Sequence, residues 1–213
     1  MYLSFTEPTA RYLTYSIYPS VILGCIGIFF GLLNLNAGLL TSSYVAVFLG
    51  AFLVIAFELL TPHQLTWRPK PSDIIDDGLF MLAVQVLLPR ALSFLVAYYV
   101  LTSFTAHSWV FGLWPDAWNI GLQVGLMVLI ADFFRYWLHR WMHESRRLWK
   151  FHAVHHSPKK LYWLNVGRFH PVDKTLQFFL DALPFIVLGV GEDVLALYFV
   201  FYSINGFFQH CNI

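Results

Sequence analysis

The sequence predicts an all-α membrane protein, a polytopic bundle of about four transmembrane helices and a C-terminal helical hairpin with a cytoplasmic histidine-rich cap. Of the 213 residues, 58% are hydrophobic and only 12% are charged, whereas soluble domains carry about 25% charged residues. Aromatic residues make up 19%, as expected where aromatic belts lie at the membrane interfaces. The net charge of +1 gives no electrostatic support for binding nucleic acid.

Six apolar runs divide the sequence, and four of them have or approach the length needed to cross about 30 Å of hydrocarbon. These four cover residues 17–40, 44–60, 79–101 and 118–138. Two shorter runs, at 176–190 and 194–208, predict either a hairpin that dips into the membrane or two tilted spans. Because neither an internal repeat nor a second domain is visible, we expect residues 1–213 to form one membrane-embedded domain.

Prolines and charged residues occur at two places inside these runs and in one segment between them. Pro89 and Arg90 lie inside the third run, and we expect the helix to break there, because proline removes a backbone donor. Arg90 and Asp181 each need a partner or an interface, since an isolated charge inside the membrane is costly. Residues 61–73, between the second and third runs, are rich in proline and polar side chains and predict an ordered loop.

The basic residues predict how the chain crosses the membrane. If the N-terminus is cytoplasmic and every run crosses, the cytoplasmic segments hold Arg11, Arg68, Lys70 and the dense set from Arg140 to Lys174. The opposite segments, near residues 41–43, 102–117 and 191–193, hold neither Lys nor Arg. The positive-inside rule therefore favours a multi-pass protein of the bacterial inner membrane or the endoplasmic reticulum with its histidine-rich segment on the cytoplasmic side.

Five histidines within eighteen residues dominate the segment after the fourth run. They are His139, His143, His152, His155 and His156. Residues four apart lie on the same face of a helix, so each group directs its imidazoles to one side. Ser157-Pro158 follows directly, and a residue before proline avoids the α region, so we expect the second group at a helix end.

Clustered imidazoles without a nearby cysteine predict a site for iron, zinc, copper or nickel rather than for calcium or magnesium. Such a site can hold two metal ions, and iron held this way can bind O2. At the cytoplasmic mouth of apolar helices it could meet a lipid tail, which suits oxidation of a C–H bond in a fatty acyl chain or a sterol. Asp132, two turns before His139, is expected either to orient an imidazole or to pair with Arg135.

Three other interpretations stay open. The segment also interleaves Arg and Lys with Tyr and Trp, which is typical of a chain lying at a membrane surface, and both interpretations can hold together. A haem-binding membrane cytochrome would pair histidines across spans, whereas these histidines are sequential. A non-catalytic or degenerate scaffold would bind no metal.

The strings DFFRYWLHRWMHE and LWKFHAVHHSP resemble the fatty acid hydroxylase/sterol desaturase superfamily of membrane di-iron enzymes, and the likeness extends from about the second span to the end of the chain. The resemblance implies two iron ions, with zinc as a possible substitute in purified protein. It assigns ligand roles to the five clustered histidines and adds His170, in Arg-Phe-His-Pro, and His210, in Gln-His-Cys-Asn. It also implies a lipid or sterol substrate, O2 and a separate electron-transfer protein.

One element of the family pattern has no counterpart in this sequence. Members carry a last HxxHH box some tens of residues beyond a segment such as Gln209-His210-Cys211-Asn212, and the sequence ends at Ile213. We therefore expect the hydroxylase-like domain to be C-terminally incomplete, with a degenerate homologue as the alternative.

Overall fold

A computed structural model describes residues 7–104 and 112–213, and within these residues it contains helices and no strands. The α-helices are α1 (Glu7–Asn34), α2 (Leu39–Leu60), α3 (Pro71–Phe80), α4 (Leu88–Phe104), α5 (Ile120–Glu144), α6 (Arg146–His152), α7 (Pro171–Asp181), α8 (Leu183–Leu188) and α9 (Glu192–His210). A π-helix, Met81–Leu87, joins α3 to α4, and 3₁₀ turns occur at Leu65–Trp67 and Trp163–Gly167. The predicted all-α class is confirmed.

Four helical segments of the described chain are long and apolar enough to cross a membrane. They are Tyr15–Asn34, Leu39–Leu60, Pro71–Val96 and Ile120–Glu144. Their number confirms the prediction of about four spans, and each overlaps one of the four long apolar runs. The third segment begins well before residue 79, because Pro71 opens a helix that continues into the apolar run.

The chain divides into two compact units. The first unit comprises Met1–Pro71, Lys159–Val166 and Leu195–Ile213, and the second comprises Ser72–Pro158 and Gly167–Val194. Each unit is described by itself below. That residues 1–213 form one membrane-embedded domain stays a prediction.

In the first unit the turn between α1 and α2 lies at residues 35–38 rather than at the predicted 41–43. Asn36 has a φ of 60° and Gly38 a φ of 77°, a region that glycine and asparagine tolerate best. The backbone N–H of Ala37 donates to the Leu32 carbonyl at 3.0 Å, which closes the end of α1. The apolar run 17–40 therefore contains a turn that its hydrophobicity does not predict.

The loop between α2 and α3 is ordered by hydrogen bonds within the first unit. The Asn212 side chain accepts from the Gln64 backbone N–H and donates to the Gln64 carbonyl, each at 2.9 Å. The Glu58 carboxylate accepts from the backbone N–H groups of Trp163 and Asn212, both at 2.8 Å. A carboxylate near the end of an apolar helix is thereby satisfied by main-chain donors.

In the second unit the third candidate span does not break at Pro89, contrary to the prediction. Instead the chain widens into a π-helix over Met81–Leu87, where the Leu88 N–H donates to the carbonyl of Ala83. Proline lacks the N–H that an α-helix needs and its ring crowds the carbonyl four residues earlier. The wider turn before Pro89 accommodates that ring without ending the helix.

The fifth apolar run, residues 176–190, is divided into α7 and α8. The break falls at Ala182, with a φ of −118°, two residues before Pro184. Helix α8 ends at Gly189, whose φ of 82° is left-handed. The residues of the predicted C-terminal hairpin form the short helices α7 and α8 and the longer α9, none of which is among the four candidate spans. That these helices pair as a hairpin stays a prediction.

Gly167 lies against the backbone of the π-helix in the second unit. A Cβ added there would come within 2.8 Å of the Met81 Cα and 3.0 Å of the Met81 nitrogen. Main-chain atoms of a helix cannot shift as a side-chain tip can, so this contact requires glycine.

We expect Gly167→Ala to lower the free energy of unfolding by about 1 to 3 kcal/mol, because it overpacks a backbone contact. Thermal denaturation of the detergent-solubilised chain measures the change. Gly78→Ala is the matched control, since nothing lies within 4 Å of its added Cβ in α3 and alanine favours a helix. A melting temperature for Gly167→Ala that equals or exceeds that of the wild-type chain would contradict the close contact between Gly167 and the Met81 backbone.

Candidate metal centre

A sharp corner at Ser145 brings two short helical segments together in the second unit. Ser145 is extended, with φ −92° and ψ 119°, and separates α5 from α6. Its backbone N–H donates to the Trp141 carbonyl at 2.8 Å, and its hydroxyl accepts from the Leu148 N–H at 3.4 Å. One residue thus caps the end of α5 and the start of α6, so the chain folds back beside the last turn of α5.

Four histidines converge at this corner. They are His139 and His143 on α5, His152 at the end of α6, and His156 in the turn that follows, and we call them the four-histidine cluster. Their candidate ligand nitrogens all lie within 4.8 Å of one another. The His139 and His143 Nε2 atoms are 3.0 Å apart, and those of His152 and His156 are 3.1 Å apart.

These distances fit a metal ion. Two bare imidazole nitrogens repel each other at such separations, so each contact requires a shared proton or a cation. Nitrogens bound about 2.1 Å from one ion would lie roughly 3.0 to 3.4 Å apart. A donor set of imidazoles without thiolates or carboxylates suits a transition metal better than calcium or magnesium.

A buried carboxylate fixes one of the four rings. The His152 Nδ1 lies 2.8 Å from the Asp173 Oδ2, and the two side chains are 1% and 0% exposed. Gln177 donates from Nε2 to the other carboxylate oxygen, Oδ1, at 2.7 Å. With its proton on Nδ1, His152 presents a bare Nε2 to the cluster, which is the usual arrangement of a metal-bound histidine with a carboxylate behind it.

Asp173 was not identified from the sequence. It lies 21 residues after His152, in a short helix that offers no spacing signal linking the two. The sequence points instead to Asp132 as the carboxylate that orients an imidazole, with a pair to Arg135 as the alternative. The structure pairs Arg135 with Asp181, and the carboxylate that contacts a histidine lies on α7.

His155 lies beside the four-histidine cluster but faces another way. Its Nδ1 donates to the Arg168 carbonyl at 3.2 Å, and its ring stacks on Phe169 with centroids 4.2 Å apart and planes 9° apart. The Lys174 ammonium lies 5.6 Å from the centre of the Phe169 ring. The centroids of the His152 and His155 rings are 5.5 Å apart.

The Arg168 side chain holds its own carbonyl in place. Its guanidinium forms an ion pair with Asp77 of α3, which is 1% exposed, and lies 5.4 Å from the centre of the Phe80 ring. It also donates to the Ser157 hydroxyl at 3.5 Å. These contacts connect α3 with the loop that positions His155.

His170 caps α7 in the second unit. Its Nδ1 accepts from the Val172 backbone N–H at 3.1 Å, so a neutral ring carries its proton on Nε2. The ring centroid lies 4.8 Å from that of Phe151. His170 is not among the four clustered histidines, and a ligand role would require the ring to exchange its capping bond for the metal.

His210 belongs to the first unit, at the end of α9. Its Nδ1–H donates to the Gly206 carbonyl at 3.1 Å, which leaves Nε2 as the acceptor of the ring. Burial lowers the pKa of His210 below its usual value, so the ring is neutral at pH 7, as ligation requires. Burial raises the pKa of the neighbouring Cys211 to about 11, so its thiol is protonated at that pH.

Comparison with known proteins shows which family this chain resembles. The model of the fatty acid hydroxylase family matches residues 124–213, a stretch that contains all seven predicted ligand histidines. Over these residues the chain is similar to the fatty acid hydroxylase family. The predicted resemblance is thereby confirmed for fatty acid hydroxylases.

Two relatives support the resemblance. Ornithine lipid hydroxylase OlsE of Rhizobium tropici is 34% identical over 172 residues, which cover 78% of this chain and 52% of the relative. Sphinganine C4-monooxygenase 1 of Arabidopsis thaliana is 30% identical over 88 residues, 40% of this chain and 34% of the relative. The aligned stretches thus span about half of the first relative and a third of the second. No solved structure matches the chain significantly.

We expect Asp173→Asn to weaken metal binding by about 10- to 100-fold, as is typical when the carboxylate behind a histidine ligand is altered. Zn²⁺ titration of the purified chain against a chromophoric chelator measures the affinity. Asp76→Asn removes a carboxylate from an exposed position on α3 and serves as the control. Equal affinities for the two variants would show that the hydrogen bond to His152 does not tune the site.

Proposed function

We propose that this protein is an iron-dependent, O2-using oxygenase that hydroxylates or desaturates a C–H bond of a membrane lipid or sterol. The observation that carries the proposal is the convergence of the four-histidine cluster at one end of a candidate membrane span. The two relatives are named for oxidation of a lipid and of sphinganine, which supports hydroxylation of a lipid as the first reaction to test.

The cluster is the expected site of one iron ion. When bound, non-haem iron supplies the activation of O2 and the oxidation of the C–H bond. The chain itself contributes the ligands and their orientation. Asp173 keeps a proton of His152 on Nδ1 and Gln177 holds the carboxylate, so the Nε2 atom is directed to the metal.

A second iron ion is part of the proposal, and so are ligand roles for His155 and His170 of the second unit and, separately, for His210 of the first. In His155 and His210 the Nδ1–H is bonded to a backbone carbonyl, which is the tautomer that leaves Nε2 for a metal. His170 would have to release the Val172 N–H first. Iron content per chain distinguishes one occupied site from two.

The substrate is expected to reach the site from the bilayer. Three members of the cluster, His139, His143 and His156, are exposed, whereas His152 is buried. Phe133, Tyr136, Trp137 and Trp141 are exposed on the same helix, a composition that suits contact with lipid near an interface. A lipid bound along this helix could bring a carbon to the open side of the cluster.

The cytoplasmic face is proposed for the cluster on the basis of the positive-inside rule. Arg146, Arg147 and Lys150 are exposed in the second unit, close to the cluster in sequence. These charges suit the docking of a separate acidic electron-transfer protein, which the reaction needs to reduce iron, and they also suit anionic lipid headgroups. Reduction of the purified protein by a soluble redox carrier at increasing ionic strength tests the first role, since screening weakens such docking.

We expect His143→Ala to lose most of the bound iron and all lipid oxidation, because it removes one of four clustered donors. Elemental analysis gives the iron content, and mass spectrometry of lipids from expressing cells detects the gain of one oxygen atom or the loss of two hydrogen atoms. His63→Ala is the matched control, since His63 lies in the α2–α3 loop of the first unit. Haem absorbance, or a wild-type chain without metal, would contradict the proposal.

A further inference from the structure

Helices α5 and α7, which pack against each other in the second unit, each carry a polar stripe. The stripes are Arg135, His139 and His143 on α5, and Asp173, Gln177 and Asp181 on α7. Members four residues apart lie on one face of a helix. Each stripe covers eight residue steps, about 12 Å of helix, so the two have equal lengths.

The two stripes are joined at both ends and run antiparallel. At one end Arg135 donates to the Asp181 carboxylate. At the other end Asp173 is bonded to His152, whose ring centroid lies 4.6 Å from that of His139. The ion pair therefore lies about two turns from the histidine end, deeper in the candidate span Ile120–Glu144.

The position of α7 along α5 depends on these contacts. Helix α7 has only 11 residues, and isolated helices of that length are marginal. His170 caps its start and the backbone turns away at Ala182, so neither neighbouring segment extends the helix. A slip of one residue would move α7 by about 1.5 Å and would separate Asp173 from His152.

The ion pair resists such a slip. The Arg135 and Asp181 side chains are only 21% and 16% exposed, and separating two partly buried charges loses their mutual attraction without returning either of them fully to water. Only a narrow range of registers keeps the guanidinium on the carboxylate. The same range keeps Asp173 within hydrogen-bond distance of His152.

We propose that Arg135 and Asp181 are positioning residues of the metal centre, and that their ion pair sets the register of α7 on α5 and so places Asp173 against His152. The inference rests on the proposed function, since it assumes that the four-histidine cluster binds a metal. Both residues act through Asp173 rather than as ligands.

The test is a double-mutant cycle on Zn²⁺ affinity in the purified full chain. Asp181→Asn should weaken binding roughly tenfold, within the range of changes behind a histidine ligand. When Asp181→Asn is combined with Asp173→Asn, the Zn²⁺ affinity should fall no further than in Asp173→Asn alone, because Asp181 acts through Asp173. A purely structural role for the ion pair would instead make the two losses multiply.

Two further variants complete the cycle. Exchanging the charges in Arg135→Asp/Asp181→Arg keeps an ion pair and should restore affinity to within about threefold of wild type, including when Asp181→Asn alone fails to fold. Glu144→Gln is the control, because it removes the exposed Arg140–Glu144 pair from the same helix, a kind of pair that contributes little.

The outcomes separate the two proposals. Three results would each overturn the positioning role. They are a wild-type Zn²⁺ affinity in Asp181→Asn, a double variant in which the two losses of affinity multiply in full, and no recovery of affinity when the two charges are exchanged. A wild-type chain that binds neither iron nor Zn²⁺ would instead refute the proposed metal centre, and the positioning role with it.

Discussion

The hydrogen bond between His152 and Asp173 is the interaction on which the candidate centre depends. Both side chains are almost fully buried, so a carboxylate without this partner would be strongly unfavourable. The bond joins the end of α6 to the first turn of α7 and selects one tautomer of the imidazole. Because the Nε2 atoms of His152 and His156 are 3.1 Å apart, fixing one ring restricts where the second can lie.

The same principle recurs at three other places in the described parts of this chain. Arg135 is matched by Asp181, and Asp77 by Arg168. Glu58 near the end of α2 accepts two backbone N–H groups. Each charge is thus compensated within its own unit, which allows helices with this many ionisable residues to remain compatible with a membrane.

The sequence was sufficient for properties that depend on local pattern. Apolar length predicted four spans, and the spacing of His139 and His143 placed both rings on one face of α5. It was insufficient where a single residue changes the backbone. Asn36 and Gly38 form a turn inside an apolar run, where hydrophobicity predicted a later loop. The π-helix before Pro89 accommodates the proline ring, where the missing backbone donor of proline predicted a broken helix.

Contacts between distant residues were beyond the sequence patterns for a different reason. Asp173 meets His152 only because α7 returns along α5, and no periodicity in either helix encodes that pairing. The direction of His155 likewise depends on Phe169 and on the Arg168 carbonyl, which belong to a later loop. The spacing of the histidines predicts which imidazoles share a helical face, but it does not predict which residues from other segments contact them.

The third candidate span contributes to the site through main-chain packing rather than through ligands. Gly167 lies on the backbone of Met81, and the next residue, Arg168, reaches back to Asp77 one turn earlier on the same span. The carbonyl that accepts from His155 is therefore held between a glycine contact and an ion pair. A shift of the π-helical segment would move that carbonyl, so an apolar helix without a histidine of its own can still govern where the His155 ring points.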